Sequence, residues 1–523
     1  MHEDKAAQER SAAGGVPPAG TGTVAVRDHN TLFSCEDYRQ LFEDKKYFED
    51  ATPEERVKEV LEWTKSWEYR ELNLERKDFL INPAKACQPL GGILAAFGFR
   101  NTLPLVHGSQ GCVAYFRSHF SRHYKEPFPA VSSSMTEDAA VFGGMKNLRE
   151  ALQNALALYR PDMIAICTTC MAEVIGDDLG SFIQDFREEG VISEDLPLPW
   201  ANTPSFVGSH IIGYDNMMRA ILADQAKGKR DETSERINII PGFDTYTGNL
   251  REIKRLLDLM EVPYTLLGDT SDALDSPALG EYHMYPGGTP LPELRNAARA
   301  RATIALQRYS TRRTMQLVSS RWKQEAVVSS PIGVRGTDAF LQTVSRLTGK
   351  RVPKQIQEER GRVVDAMLDS HAYTHGRRVA LIGDPDMLLG VTAFLLEVGA
   401  EPVHIVCTNG DNDFKEEMES LLAGSPYGQS AKVWVGYDMW HLRSLVFTEP
   451  VDLLIGNSYL KLISREADIP LVRVGFPIFD RHHLHRNPIV GYRGALNLLQ
   501  MIVNTVLEEL DRKAPAHSFD VIR

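Results

Sequence analysis

The sequence predicts an α/β protein of three doubly wound, Rossmann-like domains with parallel sheets, preceded by an extended N-terminal helical arm. Three observations predict it. Short apolar runs suited to buried strands alternate with helical segments along much of the chain, the pattern of a parallel sheet. A length of 523 residues exceeds a single hydrophobic core, and roughly 150 residues per domain suggests about three domains. The composition, 43% hydrophobic and 24% charged, is that of a globular protein with an ample interior.

Residues 1–30 are rich in Ala, Gly and Pro, carry mixed charge and lack a compact apolar stretch, so they read as a flexible arm and not as a secretory signal. Thr52, Pro53 and Glu55 supply an N-cap, a proline at the first helical position and an acidic partner three residues on, which predicts a helix to about Trp67. From 82 to 184, glycine-bearing loops alternate with helical stretches, and the apolar run 162–167 is short enough for a buried strand. Residues 236–241 read as a strand, 249–260 as a helix and 262–267 as another strand. Pro286 to Pro290 is a loop, and the polar segment 349–359 is expected to separate two lobes. Strands follow at 379–382, 402–406, 432–435, 451–455 and 470–474. Leu499, Val503, Val506 and Leu510 recur at helical spacing, giving an amphipathic closing helix. The expected organisation is an arm over 1–80, then α/β domains over 81–235, 236–350 and 351–523, the last ending in that helix.

A net charge of -12 without a basic stripe would repel a phosphate backbone, so no nucleic-acid partner is expected. No apolar run approaches the roughly 18 residues that cross a bilayer, and no membrane association is expected. Six cysteines without a signal peptide fit a reducing compartment, where thiols serve metal or redox chemistry, and point to the cytoplasm. Neither a phosphate-cradling G-x-x-x-x-G-K-[ST] loop nor a G-x-G-x-x-G fingerprint after a strand is present, so any ATP is expected to be hydrolysed by a partner.

Three cysteines have settings suited to chemistry. Cys170 falls just past the strand ending near Cys167, where open α/β sheets gather ligands. Cys87 and Cys112 each sit in a glycine-bearing loop that runs into an apolar helix, and glycine lets a backbone approach a bulky ligand closely. A helix N-terminus adds amide donors and a positive dipole end that stabilise thiolates and an anionic sulfide cluster. Each cysteine taken alone reads equally well as a small buried hydrophobe. Cys167 and Cys170 form a C-x-x-C pair without a second such pair. Cys167 points along an apolar strand, and Cys35 and Cys407 lack glycine-loop surroundings, so these three fall outside the expected site.

The strings Cys87-Gln-Pro-Leu-Gly-Gly92, His107-Gly-Ser-Gln-Gly-Cys112, Met135-Thr-Glu-Asp-Ala-Ala-Val-Phe-Gly-Gly144, Cys167-Thr-Thr-Cys-Met-Ala-Glu-Val-Ile-Gly-Asp-Asp178 and Thr203-Pro-Ser-Phe-Val-Gly-Ser-His210 closely resemble the β subunits of the nitrogenase molybdenum–iron family. Phe476-Pro-Ile-Phe-Asp-Arg-His-His-Leu-His485 extends the match, which runs from about Leu32 to the C-terminus. The resemblance implies that Cys87, Cys112 and Cys170 ligate an [8Fe-7S] P-cluster shared with three cysteines of an α subunit. Ser205 is implied as a further ligand, a hard alkoxide that favours the oxidised metal. Ser109 and Tyr115 match positions close to the cluster that tune it by hydrogen bonding.

The same resemblance puts Phe142 at the docking surface of a homodimeric, ATP-hydrolysing iron protein. Ser134 and Glu137 read as a capping box for the short helix that carries it. Asp365 and Asp369, four apart on one helical face, are implied to bind a mononuclear iron or calcium at the contact between two β subunits. Glu126 and the Lys125 main-chain carbonyl of the neighbouring copy complete that set. The implied assembly is an α₂β₂ heterotetramer whose iron–molybdenum cofactor lies in the α subunit, where dinitrogen becomes ammonia, and this chain relays electrons without a substrate-reducing site of its own. The cluster of His482, His483 and His485 is better explained by hydrogen bonding with Asp480 and flanking arginines than by metal binding. A cofactor-assembly scaffold and a dark-type chlorophyll-precursor reductase share the fold and the cysteine logic. The setting of Ser205 and the long N-terminal region resemble the nitrogenase β subunit more. A zinc protein is disfavoured because the cysteines are too widely spaced for a zinc ribbon.

Overall fold

The computed structural model describes residues 34–49, 52–76, 80–81, 84–226, 234–280 and 287–515. The arm expected over residues 1–30 lies outside them. The described residues fall into two compact units, one ending at Trp63 and one beginning at Thr64. The first contains the helices Glu36–Glu49 and Glu54–Trp63. The helix expected to continue to Trp67 stops at Trp63 because Ser66 caps a new one, Trp67–Glu75, its side chain accepting from the Tyr69 N–H at 3.2 Å.

The second unit is built on three parallel sheets, as the sequence predicts. The first contains β1 (Thr102–His107), β2 (Val131–Ser132), β3 (Met163–Thr168) and β4 (Trp200–Ala201), in the order β2-β1-β3-β4. The second contains β5 (Ile237–Ile240), β6 (Tyr264–Leu266), β7 (Ala302–Ala305) and β8 (Glu325–Val328), in the order β6-β5-β7-β8. The third contains β9 (Arg378–Ile382), β10 (Glu401–Cys407), β11 (Lys432–Val435), β12 (Leu453–Gly456) and β13 (Leu471–Arg473), in the order β11-β10-β9-β12-β13. Each order reverses direction once, the mark of a doubly wound sheet. Every residue of β1, β3, β5, β7 and β12 is buried, which explains why such strands read as unbroken apolar runs.

Strand β1 escapes the sequence pattern because Pro104 sits inside it, and proline cannot donate to a ladder. The Ser133 N–H donates to the Val106 carbonyl, so the even-numbered residues of β1 face β2. Strand β2 pairs only with Leu105 and Val106 and stops short of Pro104. The missing donor therefore costs no hydrogen bond.

The segment 349–359 is only partly a connection. The helix Gly333–Thr348 ends at Gly349, whose φ of +74° suits glycine, and the helix Lys354–Thr374 begins directly after Pro353. Its polar residues face solvent around a single buried apolar side chain, Ile356. The closing helix Gly491–Lys513 buries Leu499, Val503 and Val506 and leaves Leu510 exposed. Among the described residues no helix is long and apolar enough to cross a membrane.

Candidate metal centre

In the first sheet the order reverses between β1 and β3, and open α/β sheets bind ligands outside the carboxyl ends of strands at such a point. Cys112 lies in the first turn of the helix Gln110–Tyr124, which follows β1, and Cys170 opens the helix Cys170–Ile175, which follows β3. Cys87 is the N-cap of the helix Gln88–Phe97. All three thiols thus stand at helix N-termini, whose free amides and positive dipole end suit an anionic ligand.

Close backbone approach brings these loops together. A Cβ on Gly108 would lie 2.0 Å from Thr169 Oγ1, and the Thr169 N–H donates to the His107 carbonyl at 3.0 Å. The loops before Cys112 and Cys170 are therefore in direct contact, which only glycine permits. The helix of Cys87 is locked against the helix His210–Gln225 in the same way: a Cβ on Gly91 would meet His210 O at 1.7 Å, and one on Gly213 would meet Gln88 O at 1.8 Å. Ala86, just before Cys87, donates to His210 Nδ1 at 3.0 Å and accepts from the His210 N–H at 3.0 Å. His210 Nε2 in turn lies 3.0 Å from Asp384 Oδ2.

Cys87, Cys112 and Cys170 are each partly exposed, whereas Cys167 and Cys407 are buried. Burial, with the nearby Cys87 and Cys170 thiols adding to it, pushes the Cys112 thiol up. Two or three thiolates this close repel one another, and cationic iron relieves that repulsion. The buried Cys167 thiol is pushed up to about 12, and it packs where a Cβ on Gly92 would meet its Sγ at 2.5 Å. Burial likewise holds Cys407 protonated. Both behave as core side chains. Cys35 lies in the N-terminal unit.

Ser205 begins a 3₁₀ turn, Ser205–Val207, and its N–H donates to Cys170 Sγ at 3.3 Å. Thr203 ties the same segment to the end of β3, donating through its N–H to Thr168 Oγ1 at 2.8 Å and through its hydroxyl to the Thr168 carbonyl at 2.6 Å. The donor set, three soft thiols with a hydroxyl alongside, fits iron and sulfide. Among the described residues no group of three or more His, Cys, Asp or Glu is arranged to hold a single metal ion.

Ser109 caps the Cys112 helix, its side chain accepting from the Gly111 N–H at 3.3 Å. Tyr115 is 44% exposed on that helix, and burial of its hydroxyl, with the nearby Cys87 adding to it, raises its pKa. Phe142 is 86% exposed at the end of the helix Glu137–Phe142, with Val141 beside it at 75%. The capping box expected from Ser134 and Glu137 is not formed: Thr136 is the N-cap, and Ser134 adopts a left-handed φ of +52° while its N–H donates to Ser132 Oγ. Asp365 and Asp369 are exposed on the helix Lys354–Thr374. Lys125, with φ +63°, caps the C-terminus of the helix Gln110–Tyr124, and Glu126 follows it. His482 and His483 are exposed, while His485 is buried and held neutral, its pKa pushed down to about 4 chiefly by burial.

Several residues that shape the site carry no local signal in the sequence. Gln88 is fully buried and donates to the Pro204 and Val207 carbonyls, at 2.7 and 3.3 Å, on either side of Ser205. His107, at the end of β1, joins Ser133 Oγ and Asp177 Oδ2, each at 2.9 Å, and Asp177 also accepts from the Gly144 N–H. These partners are 26 to 119 residues apart, so no window of sequence contains them.

The three sheets define a protein of the parallel α/β class, with Cys112 and Cys170 placed after the two strands that flank the switch point of the first sheet. The family of nitrogenase component 1 type oxidoreductases matches residues 87–507, and a domain of unknown function (DUF3364) matches residues 22–73. The nitrogenase molybdenum-iron protein beta chain of Nostoc sp. is 58% identical over 503 residues, 95% of this chain and 98% of that one. That of Frankia alni is 58% identical over 516 residues, covering 97% and 98%, and that of Azotobacter vinelandii is 50% identical over 510 residues, covering 94% and 98%. A chain of the solved nitrogenase Cp1 structure at pH 6.5 superposes with a TM-score of 0.83 at 42% identity, covering 86% of this chain and 98% of that one. This chain belongs to the nitrogenase component 1 family of oxidoreductases.

Proposed function

We infer that the chain serves as the β subunit of a molybdenum–iron dinitrogenase, holding half of an [8Fe-7S] P-cluster through Cys87, Cys112 and Cys170. The observation that carries this reading is the placing of two partly exposed thiols, Cys112 and Cys170, after the strands that flank the switch point of one sheet, with Cys87 near enough to act on Cys112 and the Ser205 N–H bonded to Cys170. Held by these residues, the cluster would supply one-electron redox chemistry between a docked, ATP-hydrolysing iron protein and an iron–molybdenum cofactor in an α subunit. The residues of this chain supply thiolates at fixed positions, a hydroxyl at Ser205 for the oxidised state, and helix N-terminal amides that offset negative charge. Ser109 and Tyr115 tune the cluster by hydrogen bonding. Exposed Phe142 and Val141 offer an apolar surface for the iron protein. The cytoplasm is the compartment that keeps these thiols reduced.

Asp365 and Asp369 bind a mononuclear iron or calcium with Glu126 and the Lys125 carbonyl of a second β subunit, within an α₂β₂ heterotetramer. We assign one sheet to each of three domains, over 81–235, 236–350 and 351–523. The test is anaerobic purification of the assembly with metal analysis. The expected result is a heterotetramer containing iron and molybdenum that reduces acetylene once iron protein, ATP and reductant are added. An assembly that contains zinc alone, or that stays silent under those conditions, rules the reading out.

A further inference from the structure

The Ser205–Val207 turn gains little from burial, because Phe206 and Val207 are 62% and 63% exposed. Its position is set by hydrogen bonds, and those on its carbonyl side come from one chain of side chains. Arg313 Nη1 donates to Asn216 Oδ1 at 2.6 Å. Asn216 Nδ2 donates to Gln88 Oε1 at 3.1 Å and to the Asn202 carbonyl at 3.3 Å. Gln88 Nε2 then donates to the Pro204 and Val207 carbonyls that bracket Ser205.

The direction of this chain is fixed at both ends. A guanidinium only donates and a backbone carbonyl only accepts, so the two amides between them have one self-consistent orientation. Arg313 is itself held by its backbone, whose N–H donates to Asp215 at 2.7 Å, and it lines an open cleft of about 900 Å³ with Asn202 and Asn216. Gln88 is the residue after Cys87, so the same side chain that grips the Ser205 turn moves with a thiol. On the other side of the turn, the Ser205 N–H is bonded to Cys170 Sγ.

We propose that Gln88, oriented by Asn216 and Arg313, is a positioning residue that holds the Ser205 hydroxyl at a set place relative to Cys87 and Cys170, so that it can reach the oxidised cluster. This rests on the reading of Ser205 as a ligand. Gln88 touches no reacting atom. It acts by fixing where the turn sits, and its loss would free the serine while leaving the three thiols in place.

The test uses the assembled protein, purified anaerobically, with Ser205→Ala, Gln88→Met and Asn216→Leu. Methionine keeps the volume of Gln88 and removes its hydrogen bonds, and Asn216 is partly exposed and tolerates replacement should the Gln88 variant misfold. Iron content, the spectra of the reduced and oxidised cluster, and amide exchange over 204–208 are measured. The expected result is that Ser205→Ala alters the oxidised spectrum alone. Gln88→Met and Asn216→Leu then reproduce that alteration at full iron content, and exchange in the turn rises by about tenfold, as loss of a net hydrogen bond dictates. If both variants keep the wild-type oxidised spectrum while Ser205→Ala changes it, the positioning role is overturned. Loss of iron in both variants also overturns it, because the chain of amides would then support all the ligands alike. If Ser205→Ala itself leaves the oxidised spectrum unchanged, the ligand reading fails, and this inference fails with it.

Discussion

Replacing Gly213 by alanine tests how the helix of Cys87 is held. The added Cβ would stand 1.8 Å from the Gln88 carbonyl oxygen, against an ordinary contact near 3.4 Å, so the two helices must part by about 1.5 Å. The obstacle is main chain and cannot rotate away. Overpacking of this kind costs about 1–3 kcal/mol, and a backbone obstacle puts it at the upper end, about 3 kcal/mol. Alanine recovers about 1 kcal/mol of helix propensity, which leaves a net loss of about 2 kcal/mol. The positional consequence is larger than the energetic one, because a ligand site tolerates only about 0.5 Å of displacement. Gly213→Ala is therefore expected to lose cluster iron out of proportion to its modest fall in thermal stability. Iron per tetramer and an anaerobic melting curve measure the two effects side by side. Full iron content with an unchanged melting temperature would refute the reasoning.

Four further outcomes follow from the same geometry. Cys87→Ala, Cys112→Ala and Cys170→Ala each disrupt the cluster or the assembly, while Cys35→Ala leaves the cluster spectrum intact; an unaltered spectrum in any of the first three contradicts the ligand assignment. Cys167→Ala is expected to lower stability by about 1–2 kcal/mol through lost packing and to keep the iron, as metal analysis of the melted and unmelted protein can tell. Asp365→Asn combined with Asp369→Asn should remove one mononuclear metal per β subunit without touching cluster iron, read by elemental analysis. Asp438, bonded to Arg76 through both oxygens and to the Ile81 N–H, is opposed by burial, yet the bonds from His441, Arg76 and Ile81 outweigh it and hold the carboxyl far below its usual range. Its stabilisation is fully present above the ordinary carboxylate range and is lost progressively as pH falls from there through the depressed folded value. Asp438→Asn is thus expected to cost about 3 kcal/mol at neutral pH, a gap that narrows below about pH 4 in melting experiments.

Much of the fold could be read from the sequence, and the exceptions have physical causes. The five strands of the third sheet lie within one or two residues of their expected places, because each is an apolar run flanked by polar turns. Strand β1 was hidden by Pro104, whose cost is cancelled only by where β2 happens to end. The capping box at Ser134 failed because Ser132 takes the Ser134 N–H and turns that residue left-handed, a competition between two nearby hydroxyls that a four-residue motif does not contain. At the candidate site the cysteines stood out through their glycine loops. The residues that hold them, Gln88, His210 and Asp384, did not, since each acts on partners brought near only by folding. A buried glutamine beside a cysteine is an ordinary sequence feature until its carbonyl partners are known.

The central question is whether Cys87, Cys112 and Cys170 share one iron–sulfide cluster. Anomalous diffraction at the iron edge, from anaerobically grown crystals of the assembled protein, tests this most directly. One compact iron peak is expected within bonding distance of all three Sγ atoms, lying between this chain and its α partner. Iron density absent from these thiols, or divided among separate single-metal sites, would contradict it.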